Sequence, residues 1–205
     1  MQRAGPIGVI LAGGQSRRMG GGDKGLLTLD GHSILHHVIR RLSPQLQRVA
    51  INANGDGTRF AAFSLPVLPD PVPGHPGPLA GILAAMDWAA GLGADTVITV
   101  AADTPFFPAD LVMRLQAAGG PVGFSLAATG TAIAPDWHPV FGLWPTALRH
   151  DLRRDLLAGQ RKVIDWALQN GARPALFDTS TDPFFNINTP DDLATARDRI
   201  ARHDV

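Results

Sequence analysis

Short apolar runs alternate with segments of helical periodicity along the first half of the chain. Buried strands are predicted by the apolar runs at 7–11, 49–53, 65–68 and 96–102. Ser33 is a suitable N-cap for a helix that ends near Pro44, and Pro78 suits the first turn of a second helix. A third helix is predicted at 108–118. This alternation favours an α/β sheet whose strands are joined by right-handed crossovers.

The second half of the chain has a less regular pattern. Strands are predicted at 122–128, 140–144 and 175–177, and helices at 145–158, 162–168 and 190–201. Thr189 is a suitable cap for the last helix, and Asp191 and Asp192 in its first turn complement the helix dipole. Because no repeat or linker interrupts the pattern, we expect one domain.

The composition narrows the class of protein. The chain has 205 residues, 45% of them hydrophobic and 18% charged, which is enough apolar material for a packed core. Eighteen basic and eighteen acidic residues cancel, and this disfavours general nucleic-acid binding, which needs an excess of Lys and Arg. The absence of cysteine excludes disulfides, Cys-ligated zinc and thiol nucleophiles. No apolar stretch is long enough for a membrane span or a signal peptide, so we expect a soluble cytoplasmic protein.

The strongest local signal is the glycine-rich segment 11–25, which follows the first predicted strand directly. It contains six glycines together with Arg17, Arg18 and Lys24. Glycines let backbone N–H groups converge on an anion, and three cations add positive charge, so the segment predicts a polyphosphate site. Neither the phosphate-loop nor the dinucleotide-binding fingerprint fits, because no Ser or Thr follows the lysine and the first two glycines are adjacent. The alternative is a flexible surface loop without a ligand.

Asp103 directly follows the predicted strand 96–102. Because open α/β sheets bind ligands at the carboxyl ends of their strands, this carboxylate is a candidate for the ligand-binding edge. A hard oxygen ligand beside phosphates favours magnesium. The alternative is that Asp103 caps the helix predicted near Pro108.

Asparagines follow two other extended segments. Alternation puts Asn186 and Asn188 on one face, where they either complete a metal or phosphate site or form a turn. Asn52 and Asn54 end the second predicted strand, where they either hydrogen-bond a base or form an Asx-turn. Asp70 follows a short strand of the same layer. These polar groups are candidates for nucleotide contacts.

His138, with Asp136 nearby, is a candidate general base. The surrounding Trp137, Phe141 and Trp144 favour a core or pocket wall instead. No serine lies in a nucleophile-elbow context, so acyl-transfer chemistry is disfavoured.

Longer segments occur in the order of one family. They are LAGGQSRRMGGGDKGLLTLDG at 11–31, INAN at 51–54, LPDPVPGHPGPLAGI at 68–82, ADTPFFP at 102–108, HPVFGLW at 138–144 and FFNINTPDDL at 184–193. The chain resembles the molybdenum cofactor guanylyltransferases of the nucleotidyltransferase superfamily. This resemblance implies a three-layer Rossmann-like nucleotidyltransferase fold, with a mostly parallel central sheet and helices on both faces. It also implies a single domain over 1–205, with a nucleotide-binding half at about 1–105 and an acceptor half at about 106–205.

The same resemblance implies a reaction and its site. GTP and molybdenum-molybdopterin would give molybdopterin guanine dinucleotide and pyrophosphate, with Mg²⁺ as the cofactor. The residues implied in GTP binding are Leu11, Ala12, Gly13, Gly14, Lys24, Asn52, Asp70 and Asp103. Lys24, Asp103 and Arg18 would be catalytic, and Asp103 would also bind the metal. The residues implied on the pterin side are Gly77, Gly81, Arg161, Asn186 and Asn188.

Related enzymes that use CTP resemble LAAG at the start of the loop, so Gly13 after Ala12 favours guanine. The alternatives are a CTP donor, a sugar or alcohol phosphate acceptor, and a non-catalytic nucleotide-binding module. A non-catalytic module would be expected to lack the metal carboxylate or the lysine. The expected partners are the two substrates, with transient contacts to molybdenum-insertion proteins and acceptor molybdoenzymes; nucleic acid and membranes are not expected partners.

Overall fold

A seven-stranded sheet is the centre of the computed structural model, which describes residues 6–13, 23–74, 77–177 and 182–202. The strands are β1 (Ile7–Leu11), β2 (Thr28–Leu29), β3 (His32–Ser33), β4 (Arg48–Asn52), β5 (Val67–Leu68), β6 (Thr96–Ala101), β7 (Ser125–Gly130), β8 (Pro135–Pro145) and β9 (Arg173–Leu176). The helices are α1 (Ile34–Leu42), α2 (Pro78–Gly91), α3 (Leu111–Gly119), α4 (Arg149–Leu157), α5 (Val163–Gln169) and α6 (Pro190–Ala201). None of the helices in these ranges is both long and apolar enough to cross a membrane.

The order of strands across the sheet is β5-β4-β1-β6-β8-β7-β9, and β2 and β3 form a separate hairpin. β1 pairs in parallel with β4 and β6, and Leu11 lies opposite both Asn52 and Ala101. The carboxyl ends of β4, β1 and β6 are therefore level at one edge of the sheet. β8 runs antiparallel to β6 and β7, whereas β9 is parallel to β7.

Alternation along the central strands divides their apolar side chains between two cores. Ile10 and Val100 pack with α1 and α3 on one face. Val9 and Val97 pack with α2, α4 and α5 on the other face. Helices therefore cover both faces of a mostly parallel sheet, which confirms the predicted three-layer fold class.

A third, smaller core joins α6 to the β2–β3 hairpin. Leu29 and Ile34 pack there against Ile187 and Ala196, all four of them fully buried. This core fixes the segment that precedes α6 beside the end of β6.

The predicted helix caps are confirmed. The Ser33 hydroxyl accepts a hydrogen bond from the His36 N–H at 3.1 Å, and α2 begins at Pro78. At the start of α6, the Thr189 hydroxyl accepts from the Asp192 N–H at 3.1 Å, and the Asp192 carboxylate accepts from the Thr189 N–H at 2.8 Å. This reciprocal pair is a capping box, which satisfies two otherwise orphaned backbone donors.

Two helices begin three or more residues later than predicted. α3 begins at Leu111 rather than at 108. α4 begins at Arg149 rather than at 145, because Thr146–Leu148 forms a 3₁₀ turn. Tight turns carry apolar residues without a helical hydrogen-bond pattern, so periodicity alone extends the helix into them.

The strand predictions of the second half also need correction. The strand expected at 122–128 begins only at Ser125, because Gly120–Val122 forms a 3₁₀ turn. The strand expected at 140–144 covers Pro135–Pro145, since its first part pairs with β7.

The β2–β3 hairpin is absent from the sequence prediction. Its turn residues Asp30 and Gly31 have φ values of 47° and 77°, the positive values that a two-residue hairpin turn of type I′ requires. The Asp-Gly pair is a strong signal for this turn, and it could have revealed the hairpin.

Candidate active site

A cleft of about 240 Å³ opens at the edge where β4, β1 and β6 end. This is the edge at which open parallel sheets bind ligands, where successive connections leave to opposite sides of β1. The residues of the predicted site that line it are Leu11, Ala12, Gly13, Lys24, Asn52, Asp70, Gly77, Gly81, Asp103 and Asn186. The other lining residues are Gly25, Pro78, Ala101, Ala102 and Val140, whose small or apolar side chains give no chemical signal in the sequence.

The backbone after β1 forms the floor of the cleft. The Ala12 N–H donates to the Asn52 carbonyl at 2.8 Å, and the Ala102 N–H donates to the Leu11 carbonyl at 3.1 Å. These two bonds continue the sheet just beyond the strand ends. They therefore fix the place where Gly13 enters the cleft.

Asn52 and Asn54 hold the carboxylate of Asp70 on one wall of the cleft. The Asn52 side-chain amide donates to Asp70 Oδ1 at 2.9 Å and to the Leu68 carbonyl at 3.0 Å. The Asn54 amide donates to Asp70 Oδ2 at 2.7 Å, and its oxygen accepts from the Asp70 N–H at 2.9 Å. Each carboxylate oxygen thus receives one amide donor and keeps further acceptor capacity.

Gly81 lies in the first turn of α2, directly against the Asn52 amide. A Cβ at this position would lie 2.3 Å from Asn52 Oδ1 and 3.3 Å from Leu11 Cδ2. The helix can approach the end of β4 this closely only because residue 81 has no side chain. Gly81 therefore contacts the wall formed by residues predicted to bind the nucleotide.

Lys24 lies on the opposite wall, where three distant segments meet. Its ammonium group donates to the side-chain oxygen of Asn188. The Ile187 N–H donates to the backbone carbonyl of Asp103 at 2.9 Å, which ties the segment before α6 to the end of β6. Buried Gly25 packs against Ala102, the residue after β6, since a Cβ at position 25 would lie 3.4 Å from Ala102 Cβ. Lys24 is close enough to Asp103 for the two charges to interact.

Burial raises the pKa of the Asp103 carboxyl above its usual range. The charge of Lys24 and weak hydrogen bonding, including the Thr104 hydroxyl at 3.4 Å, oppose the rise without cancelling it. Asp103 is thus a carboxylate whose negative charge is incompletely compensated. An additional cation in the cleft would stabilise its ionised form.

The chemistry of Asp103 fits a magnesium ligand. Mg²⁺ is usually held by one or two carboxylates together with substrate phosphates and water, rather than by a full protein cage. Over the described ranges, no group of three or more His, Asp or Glu side chains is arranged to hold a metal by itself. Asp103 is therefore a suitable ligand for a metal that arrives with a phosphorylated substrate.

Arg161 lies apart from this cleft, in a neighbouring depression. That depression is lined by Val72, Pro73, Gly74, Gly77, Leu156, Leu157 and Arg161. Gly77 belongs to both concavities, so the two are adjacent. One guanidinium nitrogen of Arg161 donates to the Leu156 carbonyl at 2.8 Å and to the Gln160 carbonyl at 2.6 Å. Of the predicted pterin-side residues, Gly77, Gly81 and Asn186 thus line the cleft, Arg161 lines the depression, and Asn188 contacts Lys24.

The part of the glycine-rich loop at 14–22, which includes Gly14, Arg17 and Arg18, lies outside the described residues. The helix-capping alternative for Asp103 is wrong, because Asp110 occupies the N-cap of α3.

His138 belongs to an aromatic wall rather than to an acid–base pair. Its ring stacks on Phe184 with the ring centres 4.2 Å apart, and its Nε2 lies 3.0 Å from the Thr129 hydroxyl. Burial lowers the pKa of His138, which favours the neutral ring, although Asp136 and Asp182 oppose the shift.

An ion pair between Asp23 and Arg59 borders the site. Sequence reasoning missed Arg59, which lies 36 positions after Asp23 and has no motif around it.

The family model of the MobA-like NTP transferase domain matches residues 8–172. The chain belongs to this family. It is a nucleotidyltransferase, and the family assignment suggested by the sequence motifs is confirmed.

Two curated relatives of this chain share one name. Molybdenum cofactor guanylyltransferase from Mesorhizobium japonicum is 49% identical over 195 residues, covering 92% of this chain and 93% of its own. The protein of the same name from Bradyrhizobium is 48% identical over 203 residues, covering 96% and 94%. The crystal structure of molybdopterin-guanine dinucleotide biosynthesis protein A from Archaeoglobus fulgidus has a TM-score of 0.69 at 24% identity, covering 96% of this chain and 99% of its own. That structure supports the fold.

We expect Gly81→Ala to displace either Asn52 or the start of α2, because its Cβ would overlap the Asn52 amide. Overpacking of this kind costs about 1–3 kcal/mol of stability. The variant should melt at a lower temperature and bind nucleotide more weakly. Gly91→Ala is the matched control in the same helix, since a Cβ there meets nothing within 4 Å. Equal melting temperatures and equal nucleotide affinity for the two variants would contradict the packing role of Gly81.

We expect Asp103→Asn to raise the melting temperature of the metal-free protein at pH 7. The folded-state pKa of Asp103 is raised, so its ionised form is disfavoured in the folded protein and opposes folding at neutral pH. The loss of stability caused by ionised Asp103 becomes smaller as the pH decreases through the pKa of the folded state. It vanishes below the pKa of the unfolded state. The gap between variant and wild type should therefore narrow towards pH 4.

The measurement is thermal unfolding in the presence of a chelator over this pH range, with Asp198→Asn on the exposed face of α6 as control. An Asp103→Asn protein that melts below the wild type at pH 7 would show that attraction to Lys24 outweighs the burial penalty.

Proposed function

We propose that this nucleotidyltransferase transfers GMP from GTP to the terminal phosphate of molybdenum-molybdopterin and releases pyrophosphate. The proposal rests on one observation. Lys24 and Asp103 lie close together in one cleft, at the edge of the sheet where β1 and β6 end at the same level. A non-catalytic nucleotide-binding module would not be expected to keep both charges in one cleft. The names of the relatives at 46–49% identity support the same donor and acceptor.

The wall formed by Asp70 is suited to a guanine base. The Watson–Crick edge of guanine carries two adjacent N–H donor groups, and a carboxylate accepts such a pair in a bidentate manner. The amides of Asn52 and Asn54 hold both carboxylate oxygens in fixed positions, and each oxygen retains a free lone pair. Cytosine offers one amino group at this edge, so it would use the carboxylate less completely.

The wall formed by Lys24 is suited to the triphosphate. The backbone after β1 supplies the turn at Gly13, and Lys24 supplies a positive charge beside it. A triphosphate that extends from Asp70 past Gly13 would bring its charged end to Lys24. Arg18 and Gly14 of the same loop would add a cation and a backbone N–H group.

In the proposed reaction an oxygen of the acceptor phosphate attacks the α-phosphorus of GTP. The bond between the α-phosphorus and the bridging oxygen of pyrophosphate breaks, and this oxygen keeps the electron pair. The second pKa of a phosphate monoester is about 6, so the acceptor is largely ionised at pH 7 and needs no general base. The described lining of the cleft contains no histidine, which agrees with this requirement. The chain therefore contributes mainly positioning and charge neutralisation.

Mg²⁺ bound by Asp103 would supply further neutralisation of the phosphate charges. Asp103 itself would fix where the charged end of the substrate is held, because its carboxylate projects from a strand end that pairs tightly with β1.

The acceptor would extend from the cleft into the depression that contains Arg161. Gly77 joins the two concavities, and Arg161 and exposed Leu157 provide a cation and an apolar surface. Asn186 lines the cleft and Asn188 contacts Lys24, so both would lie beside the reacting phosphates. A phosphate carried by a heterocyclic ring system matches this combination of charge and apolar area.

The donor is tested by incubating the protein with Mg²⁺ and molybdenum-molybdopterin and each of the four NTPs, with pyrophosphate release as the readout. We expect release with GTP to exceed release with the other three. Sugar phosphates and alcohol phosphates offered with GTP should give no release above background. A preference for CTP would contradict the guanine assignment, and turnover of a sugar phosphate would contradict the acceptor.

The two charged residues are tested by Asp103→Asn and Lys24→Ala. Loss of a preorganised charge-stabilising group typically costs about 3–4 kcal/mol, which is roughly a hundred- to a thousandfold in rate. We expect losses of this size in kcat/KM, with a clear increase of KM for GTP in the lysine variant. Arg48→Ala removes a charge at the opposite edge of the sheet, where β4 begins, and serves as control. Near-normal activity of either site variant would remove that residue from the proposed site.

A further inference from the structure

The carboxylate of Asp23 forms an unusual contact for a residue at a helix start. Asp23 is the N-cap of the 3₁₀ turn Lys24–Leu26, yet its side chain accepts no hydrogen bond from that turn. It instead pairs with the guanidinium Nε of Arg59, in the segment after β4. An aspartate at an N-cap usually satisfies the local backbone, so this one forms a long-range contact in place of a local cap.

Arg59 is itself held in place from several directions. Its Nη2 donates to the Asn54 carbonyl at 2.8 Å, and its Nη1 donates to the Asp56 carbonyl. The guanidinium carbon lies 4.5 Å from the centre of the Phe60 ring, and Phe60 is buried. The side chains of Arg59 and Asp23 are only 28% and 18% exposed, so water screens their pair incompletely. The planar guanidinium group of an arginine can make all these contacts at the same time, whereas the ammonium group of a lysine cannot.

The pair connects the two walls of the cleft. Asn54, which supplies a backbone acceptor to Arg59, also holds both the N–H and the carboxylate of Asp70. Asp23, the other partner of Arg59, is bonded in sequence to Lys24. One side chain therefore connects the end of β4 to the residue that carries the ammonium group.

We propose that Arg59 is a positioning residue, which fixes Lys24 relative to Asp70 and thereby sets the span between the phosphate wall and the base wall. The inference rests on the proposed function, because it assumes that Lys24 contacts the phosphates of GTP. Arg59 does not line the described cleft. It reaches the phosphate wall through Asp23 and Lys24, and it meets the base wall only at the backbone carbonyl of Asn54, not at the amide that holds Asp70. Its loss should weaken binding of nucleoside triphosphate more than binding of a nucleoside that has no phosphates.

The test is a double-mutant cycle with Arg59→Lys, Lys24→Ala and the double variant. Equilibrium affinity for Mg·GTP and for guanosine is measured on each protein, together with the melting temperature. Arg59→Lys keeps the charge and most of the side-chain volume, so the protein is expected to fold. Arg48→Lys, at the far end of β4, is the matched control and should bind as the wild type does.

We expect Arg59→Lys to weaken Mg·GTP binding about tenfold, the size of effect found between directly coupled neighbours, and to leave guanosine binding unchanged. In the Lys24→Ala background the same substitution should have no further effect on Mg·GTP affinity. A second variant, Asp23→Asn, should reproduce the behaviour of Arg59→Lys, because it removes the other half of the pair.

Three results would overturn the inference. The first is that Arg59→Lys binds Mg·GTP with the affinity of the wild type. The second is that Arg59→Lys lowers Mg·GTP affinity by a full tenfold in the Lys24→Ala background as well. The third is that Arg59→Lys weakens guanosine binding as much as Mg·GTP binding. A Lys24→Ala protein that binds Mg·GTP as tightly as the wild type would instead refute the phosphate role of Lys24 in the proposed function, and the inference would fail with it. The affinity of Lys24→Ala for Mg·GTP thus distinguishes a failure of the proposed function from a failure of the inference about Arg59.

Discussion

The parallel pairing of β1 with β4 on one side and β6 on the other is the constraint on which the site depends. It places Leu11 opposite both Asn52 and Ala101, so three strands end at the same level. The residues that follow these strands then enter one cleft, although they are far apart in the sequence. A change of register by one residue would turn alternate side chains to the other face and would separate Asn52 from the residues it now supports.

The two carboxylates of the cleft have opposite environments. Asp70 is held by two side-chain amides and a backbone contact, so its orientation is fixed by the protein. At Asp103, by contrast, burial raises the pKa of the carboxyl despite the nearby Lys24. The first arrangement suits recognition, since the acceptor geometry is preorganised. The environment of Asp103 suits a cation that arrives with the substrate. The cation would neutralise the buried carboxylate, and this makes its binding more favourable.

The segment before α6 is positioned by packing rather than by its own conformation. Ile187 is buried in the third core, and its N–H donates to the carbonyl of Asp103. Asn188, the next residue, accepts a hydrogen bond from Lys24. A small core at the edge of the domain therefore supports the wall on which the charged groups meet, so stability of α6 and chemistry of the cleft are linked.

Most of the helices and strands, and the family of the protein, could be predicted from the sequence alone. The local signals were the apolar runs, the caps at Ser33 and Thr189, and the position of Asp103 just after β6, because each depends on neighbouring residues alone. The family motifs indicated the site residues as a set. The tertiary structure was needed to reveal the 3₁₀ turns that delay the starts of α4 and β7, the place of Arg161 in a separate depression, and the bond between Arg59 and Asp23. These features depend on contacts between distant segments, and such contacts leave no periodic pattern in the chain.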